Sequence, residues 1–463
     1  MAAITNPTIL LLVDGREDEQ TVLNAIEALY KNKLISGAQI IVISEAGSTS
    51  YYPKIAKLYP QAFIQEVSDT VDLSQLLKPV QSDVIGYVPS GSVPSTALPE
   101  ITSVPFLGAW TLDATLPDET AKEIPVKAVA WIASASIVKS ILPQLTKLDN
   151  WTILAVAKIL EKSGIFFRWS AGKAASELHI TVRASESPAL ITVKSRVLAV
   201  VPHYRCEPWL HRCLSSLTSQ TRLPDAIALV DDGSERPPIS IVEQFPNVTL
   251  LRSRSVRVAQ SPFNVGPYRL IQQIIEDTNY DAYMFQDADD WSTSDRLEKL
   301  LYTAEATGAQ AIGTQELRVF EEEQLLVPAC YPLDVNAALA EKPGHALLHP
   351  TSLVSRNLVL RLGGFATKLR FGGDTEFLLR AALVARIVNI PDYCYFRRKR
   401  AGSLTTAPDT GLDSPARAEL LKTLKNRALA NIAAMRSGIA PCLSPLAKEL
   451  PIKLSYITGK QLD

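Results

Sequence analysis

The sequence predicts an α/β protein with two domains, each built on a mostly parallel sheet. The chain has 463 residues, whereas a single hydrophobic core rarely serves more than about 250–300 residues. Short apolar runs alternate with segments of helical periodicity, and this order is typical of parallel sheets with right-handed crossovers. The alternation starts again near residue 196, so we expect two Rossmann-like domains in tandem.

The individual elements follow from the spacing of apolar residues. In the first half we predict strands at 8–13, 38–44 and 83–88 and a helix at 19–32. In the second half we predict strands at 196–201, 226–230 and 281–285 and helices at 207–220 and 268–277. Residues 182–195 are largely polar and contain a proline, as is typical of a connector. The predicted domains are therefore 1–190 and 196–410, followed by a helical extension at 411–463.

The second half matches the first half in five blocks that keep their order. The matched segments are 9–29 with 197–217, 40–48 with 226–234, 83–95 with 281–293, 149–160 with 372–383, and 166–172 with 396–402. An internal duplication would explain the match, although two unrelated parallel-sheet domains would share the same rhythm.

The first half lacks the acidic residues of the second at the matched positions. Asp232 corresponds to Ala46, Asp374 corresponds to Trp151, and the segment 287–289 corresponds to 89–91, which is Pro-Ser-Gly. We therefore expect the first domain to be a scaffold, an acceptor-binding module or a dimerisation surface.

Charge and cysteine content narrow the class of protein. With 47 basic and 48 acidic residues, no overall field favours nucleic acid, and we expect no nucleic-acid partner. The five cysteines are scattered and form no C-x-x-C pair, so neither a disulfide framework nor a zinc cluster is indicated. No run approaches the roughly 18 apolar residues of a membrane span. We predict a cytoplasmic protein without a transmembrane segment, and peripheral association with the inner face of the membrane stays open.

The segment 285–291, FQDADDW, places three aspartates directly after a predicted buried strand. Ligands of parallel α/β sheets bind beyond the carboxyl ends of the strands, and paired carboxylates suit Mg²⁺ or Mn²⁺. An EF-hand is excluded because Trp291 and Ser292 occupy its fifth position and its glycine position. The remaining alternative is a solvated acidic turn before the next helix.

The acidic segment is one of five polar segments that follow one another along the second half of the chain. They are VPHYRCE at 201–207, VDDGS at 230–234, QDADDW at 286–291, GGDTEF at 372–377 and RRKRAGSLT at 397–405. Their order and spacing resemble glycosyltransferase family 2, enzymes with the GT-A fold, over about residues 196–406. The resemblance implies an inverting transferase that uses a nucleoside-diphosphate sugar and a divalent metal, Mn²⁺ or Mg²⁺. The first domain would then be a degenerate GT-A-like copy.

The resemblance also assigns the donor side of the site. Asp232 is similar to the aspartate that contacts uracil, and Gly233 permits its turn. Asp287 and Asp289 match the D-x-D motif, with Asp289 on the metal and Asp287 near the ribose or the metal. The other residues assigned to the nucleotide sugar are Pro202, Tyr204, Glu207, Arg269, Arg398, Arg400 and Ser403. Turn formation, strand-end packing and a solvated basic surface are the structural alternatives.

On the acceptor side, Asp374 matches the family's catalytic base. Many relatives have a glutamate before this aspartate, whereas Gly373 stands here. The structural alternative for Asp374 is a charge at a helix N-terminus. His349 and Glu376 are also assigned to the acceptor side, although a lone histidine is often only a structural hydrogen-bonding residue.

The sequence therefore predicts a glycosyltransferase that moves a sugar, most naturally from a UDP-sugar, to a hydroxyl of a glycan or lipid-linked acceptor. The rival is a non-catalytic nucleotide- or carbohydrate-binding protein with the same fold. A nucleotidyltransferase is disfavoured because segment 201–209 has no glycine for a phosphate loop. Oligomer formation stays open.

Overall fold

The computed structural model describes residues 7–15, 19–31, 38–45, 53–59, 62–67, 77, 81–89, 92, 101, 103–110, 123–145, 151–173, 190–253, 256–258, 261–403, 406 and 410–463. The chain divides into two compact units. Unit 1 takes in 1–115, 119–177 and 319–328, and unit 2 takes in 116–118, 178–318 and 329–463. Most of the predicted connector, 182–189, lies outside the described residues.

Unit 1 is an α/β unit whose strands and helices alternate as the sequence predicts. Its strands are β1 Ile9–Asp14, β2 Gln39–Glu45, β3 Phe63–Val67, β4 Val84–Val88, β5 Phe106–Trp110, β6 Ile124–Pro125, β7 Ala130–Ser134 and β8 Arg168–Ala171. Its helices are α1 Glu19–Lys31, α2 Pro53–Leu58, α3 Ala135–Ile141 and α4 Ile153–Lys162, with 3₁₀ turns at Val126–Ala128 and Leu142–Gln144. β1, β4 and β5 are buried along their whole length, as expected for strands covered on both faces.

Unit 2 carries the larger sheet. Its strands are β9 Val197–His203, β10 Ala226–Asp231, β11 Val248–Ser253, β12 Val256–Val258, β13 Ser261–Phe263, β14 Ala282–Phe285, β15 Trp291–Ser292, β16 Ala311–Phe320, β17 Leu325–Ala329, β18 Leu353–Ser355, β19 Ile387–Lys399 and β20 Leu454–Thr458. Its helices are α5 Glu207–Thr218, α6 Ile239–Val242, α7 Pro267–Asp277, α8 Arg296–Thr307, α9 Val335–Glu341, α10 Arg356–Arg361, α11 Gly373–Ala381 and α12 Pro415–Arg436, with a 3₁₀ turn at His349–Thr351. The β16–β17 hairpin is divided between the units, because its residues 319–328, which include most of β17, belong to unit 1.

The two units share one strand order. Unit 1 has the order β3-β2-β1-β4-β7-β5-β8, and unit 2 has β11-β10-β9-β14-β18-β16-β19, with β20 beside β11 and β15 beside β19. Counted in this sheet order, the first four strands of each unit are parallel to one another. The fifth strand, which is β7 in unit 1 and β18 in unit 2, is antiparallel to both of its neighbours. The predicted α/β class with tandem sheets is confirmed.

The five blocks that match in sequence fall on equivalent elements of the two sheets. They fall on β1 and β9, β2 and β10, β4 and β14, β8 and β19, and on helices α4 and α11. An internal duplication produces such a correspondence, and it remains our proposal for the origin of the chain. Ala46, Ser90 and Gly91 of the first copy lie outside the described residues.

The C-terminal extension begins as predicted with a helix and then departs from the prediction. Helix α12 starts after Ser414, whose hydroxyl accepts a hydrogen bond from the Arg417 N–H. Further on, β20 pairs antiparallel with β11 and extends the sheet of unit 2. The extension is thus part helix and part strand. Among the described helices, none is long and apolar enough to span a membrane.

Candidate active site

A cavity of about 500 Å³ lies at the carboxyl ends of β9, β10 and β14 in unit 2. This volume lies within the range of small-molecule and cofactor sites. Eight of the residues predicted for the donor side line it, namely Pro202, Tyr204, Asp232, Asp287, Asp289, Arg398, Arg400 and Ser403. Among the described lining residues are five arginines and four aspartates. The cavity therefore combines carboxylates for a cation with guanidinium groups suited to phosphate oxygens.

Asp232 organises the loop that enters α7. It is buried, and its two carboxylate oxygens accept hydrogen bonds from the N–H groups of Val265 and Gly266 at 2.9 and 2.8 Å. The Ser253 hydroxyl donates to the same carboxylate at 3.2 Å. Burial raises its pKa despite these donors. The turn after Asp232 is made possible by Gly233, whose φ is +76°.

The three aspartates after β14 have different surroundings. The Asp287 carboxylate faces the cavity, and its N–H donates to the Tyr395 hydroxyl at 3.1 Å. The surrounding protein and the charge of Asp289 raise the pKa of Asp287 to about 7. Asp290 is buried and accepts the Arg398 N–H at 2.7 Å, so it ties this turn to the end of β19.

Two tryptophans hold the arginines at the cavity wall. The Arg400 guanidinium lies 4.4 Å from the centre of the Trp209 ring, and the Arg398 guanidinium lies 5.2 Å from that of Trp291. Arg398 also donates from Nε to the Asp289 carbonyl at 2.9 Å, and Arg400 donates from Nε to Asp289 Oδ2 at 2.7 Å. Stacking on aromatic rings fixes these long side chains and so lowers the entropy cost of ligand contacts.

The oxygens of Asp287 and Asp289 fit a hard divalent cation. Among the described residues, no group of three or more carboxylate, imidazole or thiol side chains forms a protein-only metal cage. A magnesium-type ion that binds with a phosphate substrate typically uses one or two carboxylates and takes further ligands from the phosphates. The donor set is therefore suited to a metal that arrives with a diphosphate.

Asp374 lies at the start of α11, outside the residues that line the cavity. The Tyr268 hydroxyl donates to its Oδ1 at 3.0 Å. Burial favours a higher pKa, but positive charge on His345 and His349 and hydrogen bonds from Thr375 and Tyr268 lower it. Asp374 is accordingly a carboxylate near pH 7.

Three residues predicted for the site are not among those that line the cavity. Arg269 donates from Nε and Nη2 to the Leu450 carbonyl of the C-terminal extension, at 3.1 and 2.7 Å. Glu376 is buried, pairs with Arg380 at 2.6 Å and Arg427 at 3.0 Å, and therefore anchors that extension. Glu207 begins α5 and does not line the cavity. Arg269 and Glu376 thus contact the C-terminal extension, whereas Glu207 directly follows the lining residue Cys206. The roles predicted for these three residues stay predictions.

His349 lies in an aromatic cluster, and its charge acts on Asp374. Its ring stacks on Phe285 at 4.2 Å and meets Phe365 edge-on at 5.5 Å. Its Nε2 is buried without a hydrogen-bond partner among the described residues. Burial lowers its pKa to about 4. The ring packs as an aromatic side chain close to the predicted acceptor side.

Arg397 lines the cavity although the sequence analysis did not select it. Its Nη1 lies 3.6 Å from Glu316 Oε2, and its charge acts on Asp287. Successive side chains of a strand point to opposite faces of its sheet, so Arg397 and Arg398 have different partners although both line the cavity. Arg397 faces Glu316, whereas Arg398 faces Trp291. Arg370, Asn264 and His203 also line the cavity and were likewise missed.

In unit 1 the position that matches Asp374 is filled by hydrophobic packing. Trp151 is fully buried, stacks with Trp131 at 6.0 Å and lies 5.7 Å from the Tyr87 ring. Its indole N–H donates to the Leu145 carbonyl at 3.2 Å. This position therefore supplies core packing where unit 2 has a carboxylate.

The charged cavity lies at the carboxyl edge of the sheet, which is where proteins with open α/β sheets bind their ligands. Residues 198–333 match the family model described as Glycosyl transferase family 2. The predicted resemblance to this family is therefore confirmed over these residues.

The chain is also similar to several known proteins. An uncharacterized glycosyltransferase of Haemophilus influenzae is 27% identical over 223 residues, which cover 46% of this chain and 72% of that relative. The uncharacterized glycosyltransferase EpsJ of Bacillus subtilis is 27% identical over 227 residues, covering 46% of this chain and 63% of EpsJ. The structure of S. aureus TarS 1–349 in complex with UDP-GlcNAc has a TM-score of 0.39 and 18% identity, covering 53% of this chain and 73% of TarS 1–349.

Proposed function

We propose that unit 2 is a metal-dependent, inverting glycosyltransferase. It moves a sugar from a nucleoside-diphosphate sugar, with UDP as the first candidate nucleotide, to a hydroxyl of a glycan or lipid-linked acceptor. The observation that carries the proposal is the convergence of Asp232, Asp287 and Asp289 with Arg397, Arg398 and Arg400 on one cavity of a family 2 domain.

On the donor side, each group has a role that suits its chemistry. The arginines pair with diphosphate oxygens, and Asp287 and Asp289 hold the divalent cation. When bound, that cation offsets the negative charge that develops on the leaving diphosphate. Asp232 keeps the loop at 264–266 in place beside the nucleotide.

On the acceptor side, Asp374 is the general base. Its carboxylate takes the proton of the acceptor hydroxyl while that oxygen attacks the anomeric carbon. The new glycosidic bond forms as the bond from the anomeric carbon to the diphosphate oxygen breaks, and the electron pair leaves with the nucleoside diphosphate. Base and leaving group act from opposite sides of one carbon, so the reaction inverts its configuration.

Calorimetry tests the donor side of this proposal. The purified chain is titrated with UDP, GDP, CDP and TDP, with and without Mn²⁺. We expect one nucleotide, UDP, to bind at least ten-fold more tightly with the metal than without it. If none of the four binds in either condition, unit 2 is not a nucleotide-sugar enzyme.

Transfer is then measured as the release of the preferred nucleoside diphosphate from its sugar nucleotides in the presence of glycan or lipid-linked acceptors. Asp374→Asn is expected to lower this rate by roughly 10²–10⁴-fold, as for the loss of a general base. The same variant should bind the nucleotide as the native chain does. Retained transfer in Asp374→Asn would remove the residue from the base role.

For unit 1 we propose a supporting role without donor chemistry. The buried Trp151 at the position of the base favours this division. Exchange of that tryptophan should therefore affect folding and leave nucleotide affinity of the folded protein unchanged.

A further inference from the structure

Tyr268 connects the donor side of the cavity to the candidate base. It is the second residue of α7 and follows Pro267, which lines the cavity. Its hydroxyl donates to Asp374 Oδ1 at 3.0 Å, across 106 positions of the sequence. The side chain is nearly buried, with 9% of its surface exposed. A hydrogen bond to a charged acceptor in such a place is stronger than one in water.

The ring of Tyr268 lies directly on Gly373. A Cβ added to Gly373 would come within 2.8 Å of ring atom Cδ2 and 3.0 Å of Cε2 and Cγ. Real Cβ atoms do not approach carbon this closely, so any side chain at 373 must displace the ring. Glycine at this position is thus the condition for the tyrosine to reach the carboxylate.

The loop before α7 helps to fix the position of the Tyr268 ring. Asp232 accepts the N–H groups of Val265 and Gly266, which directly precede α7. Gly266 has a φ of +89°, a value that favours glycine, and it begins the turn into the helix. The ring of Tyr268 also stacks with Phe365 at a centroid distance of 6.4 Å. Its position is therefore set by both the loop and the core.

We propose that Tyr268 is a positioning residue for the reaction: its hydroxyl, on a ring seated against Gly373, orients the Asp374 carboxylate for proton transfer from the acceptor. The inference rests on the proposed function of Asp374 as the base. Because Gly373 has no side chain, the residue before Asp374 cannot orient the carboxylate, and Tyr268 does so instead.

The charged and titratable groups that face Asp374 are His345, His349 and Asp287, together with Tyr268 itself. The tyrosine hydroxyl stabilises the charged form of the carboxylate, so it lowers the pKa of Asp374. Removing the hydroxyl therefore raises this pKa. A carboxylate with a raised pKa is protonated at a higher pH. As the pH is lowered, the variant enzyme therefore loses activity earlier than the native enzyme does.

Tyr268→Phe tests the inference because it keeps the ring and removes only the hydroxyl. We expect kcat to fall by about ten-fold, the scale of one hydrogen bond to a charged group. The KM for the donor and the Kd for the nucleoside diphosphate should stay unchanged. The acidic limb of the kcat profile should shift to higher pH. Tyr283→Phe is the matched control, because its buried hydroxyl bonds to Thr278 and does not contact Asp374.

A second pair of variants examines the contact with Gly373. Gly373→Ala should lower kcat in the native background, where it displaces the ring, and should have little further effect in Tyr268→Ala. Equal losses in both backgrounds would contradict the proposed packing.

The result that overturns the inference is a Tyr268→Phe enzyme with the kcat and pH profile of the native chain. This result differs from failure of the proposed function. If Asp374→Asn retains full transfer, the base itself is wrongly assigned. If Asp374→Asn is inactive while Tyr268→Phe is unaffected, only the positioning role is wrong.

Discussion

Arg400 and Asp289 form an ion pair at the cavity wall, with Nε 2.7 Å from Oδ2. About a quarter of the arginine side chain is exposed, and its guanidinium also lies over Trp209. The arginine thus already neutralises the carboxylate that is proposed to hold the metal. A cation and Arg400 compete for the same charge, and an incoming diphosphate offers the arginine a new partner.

Arg400→Ala should separate these two effects. Without the competing guanidinium, Mn²⁺ in the absence of nucleotide is expected to bind more tightly, because Asp289 is released. Binding of UDP with metal is expected to weaken by roughly ten-fold, the scale of one charge-assisted contact. Both affinities are measured by calorimetry, with Arg222→Ala, whose guanidinium pairs with Asp225, as the control. A weaker affinity for Mn²⁺ alone would show that Arg400 does not compete.

Asp232→Asn should weaken nucleotide binding through the loop at 264–266. An amide keeps one acceptor oxygen but turns an NH₂ group toward one of the two N–H donors. We expect the Kd for UDP to rise by about ten-fold. Asp225→Asn is a matched control, because that carboxylate accepts the Val197 N–H at the opposite end of the same strands. An equal change in both variants would show a general loss of sheet stability.

Glu376→Gln should destabilise unit 2 without acting on the donor. The carboxylate is the shared partner of Arg380 and Arg427 and also accepts the Leu446 N–H. Loss of one member of a buried ion cluster typically costs about 3–5 kcal/mol of unfolding free energy. Urea denaturation should show this loss, whereas Asp463→Asn, which breaks an exposed pair with Arg196, should cost less than about 1 kcal/mol.

Under conditions in which the Glu376→Gln variant is folded, its affinity for the nucleotide should equal that of the native chain. A transfer rate that falls although the variant is folded and binds the nucleotide normally would support the predicted acceptor-side role of Glu376.

His349 should make the stability of unit 2 depend on pH in the acidic range. Burial depresses its pKa from 6.5 to about 4 in the folded protein, so the unfolded chain takes up a proton first as the pH falls. The contribution of His349 to unfolding free energy is constant above about pH 6.5 and declines toward pH 4. His349→Gln should show a smaller decline in urea denaturation between pH 7 and pH 5. An identical decline in both proteins would mean that other groups cause it.

The alternation of strands and helices and the acidic turn were predictable because their signals are local. β14 is a buried run, and Asp287 and Asp289 follow it directly, so the position of the carboxylates at a sheet edge follows from the sequence. Alternation along β19 predicts that Arg397 and Arg398 have different partners, but which of the two lies beside Glu316 follows only from the folded structure.

The positions of Arg269 and Glu376 were not predictable in this way. Their partners, the Leu450 carbonyl and the Arg427 guanidinium, belong to the C-terminal extension and meet them only after folding. β20 is a similar case, because its pairing with β11 joins segments about two hundred residues apart. Contacts of this range leave no period or motif in the local sequence.

The contact of Tyr268 with Gly373 has a consequence for the history of the family. A related chain that carries a glutamate in place of Gly373 has no room for the aromatic ring, and one that carries the ring has no room for the glutamate. Across homologous sequences the two positions should therefore change together, with an aromatic residue at 268 accompanied by glycine at 373. Selection for catalysis would then cause positions 268 and 373 to be substituted together, although they lie far apart in the sequence.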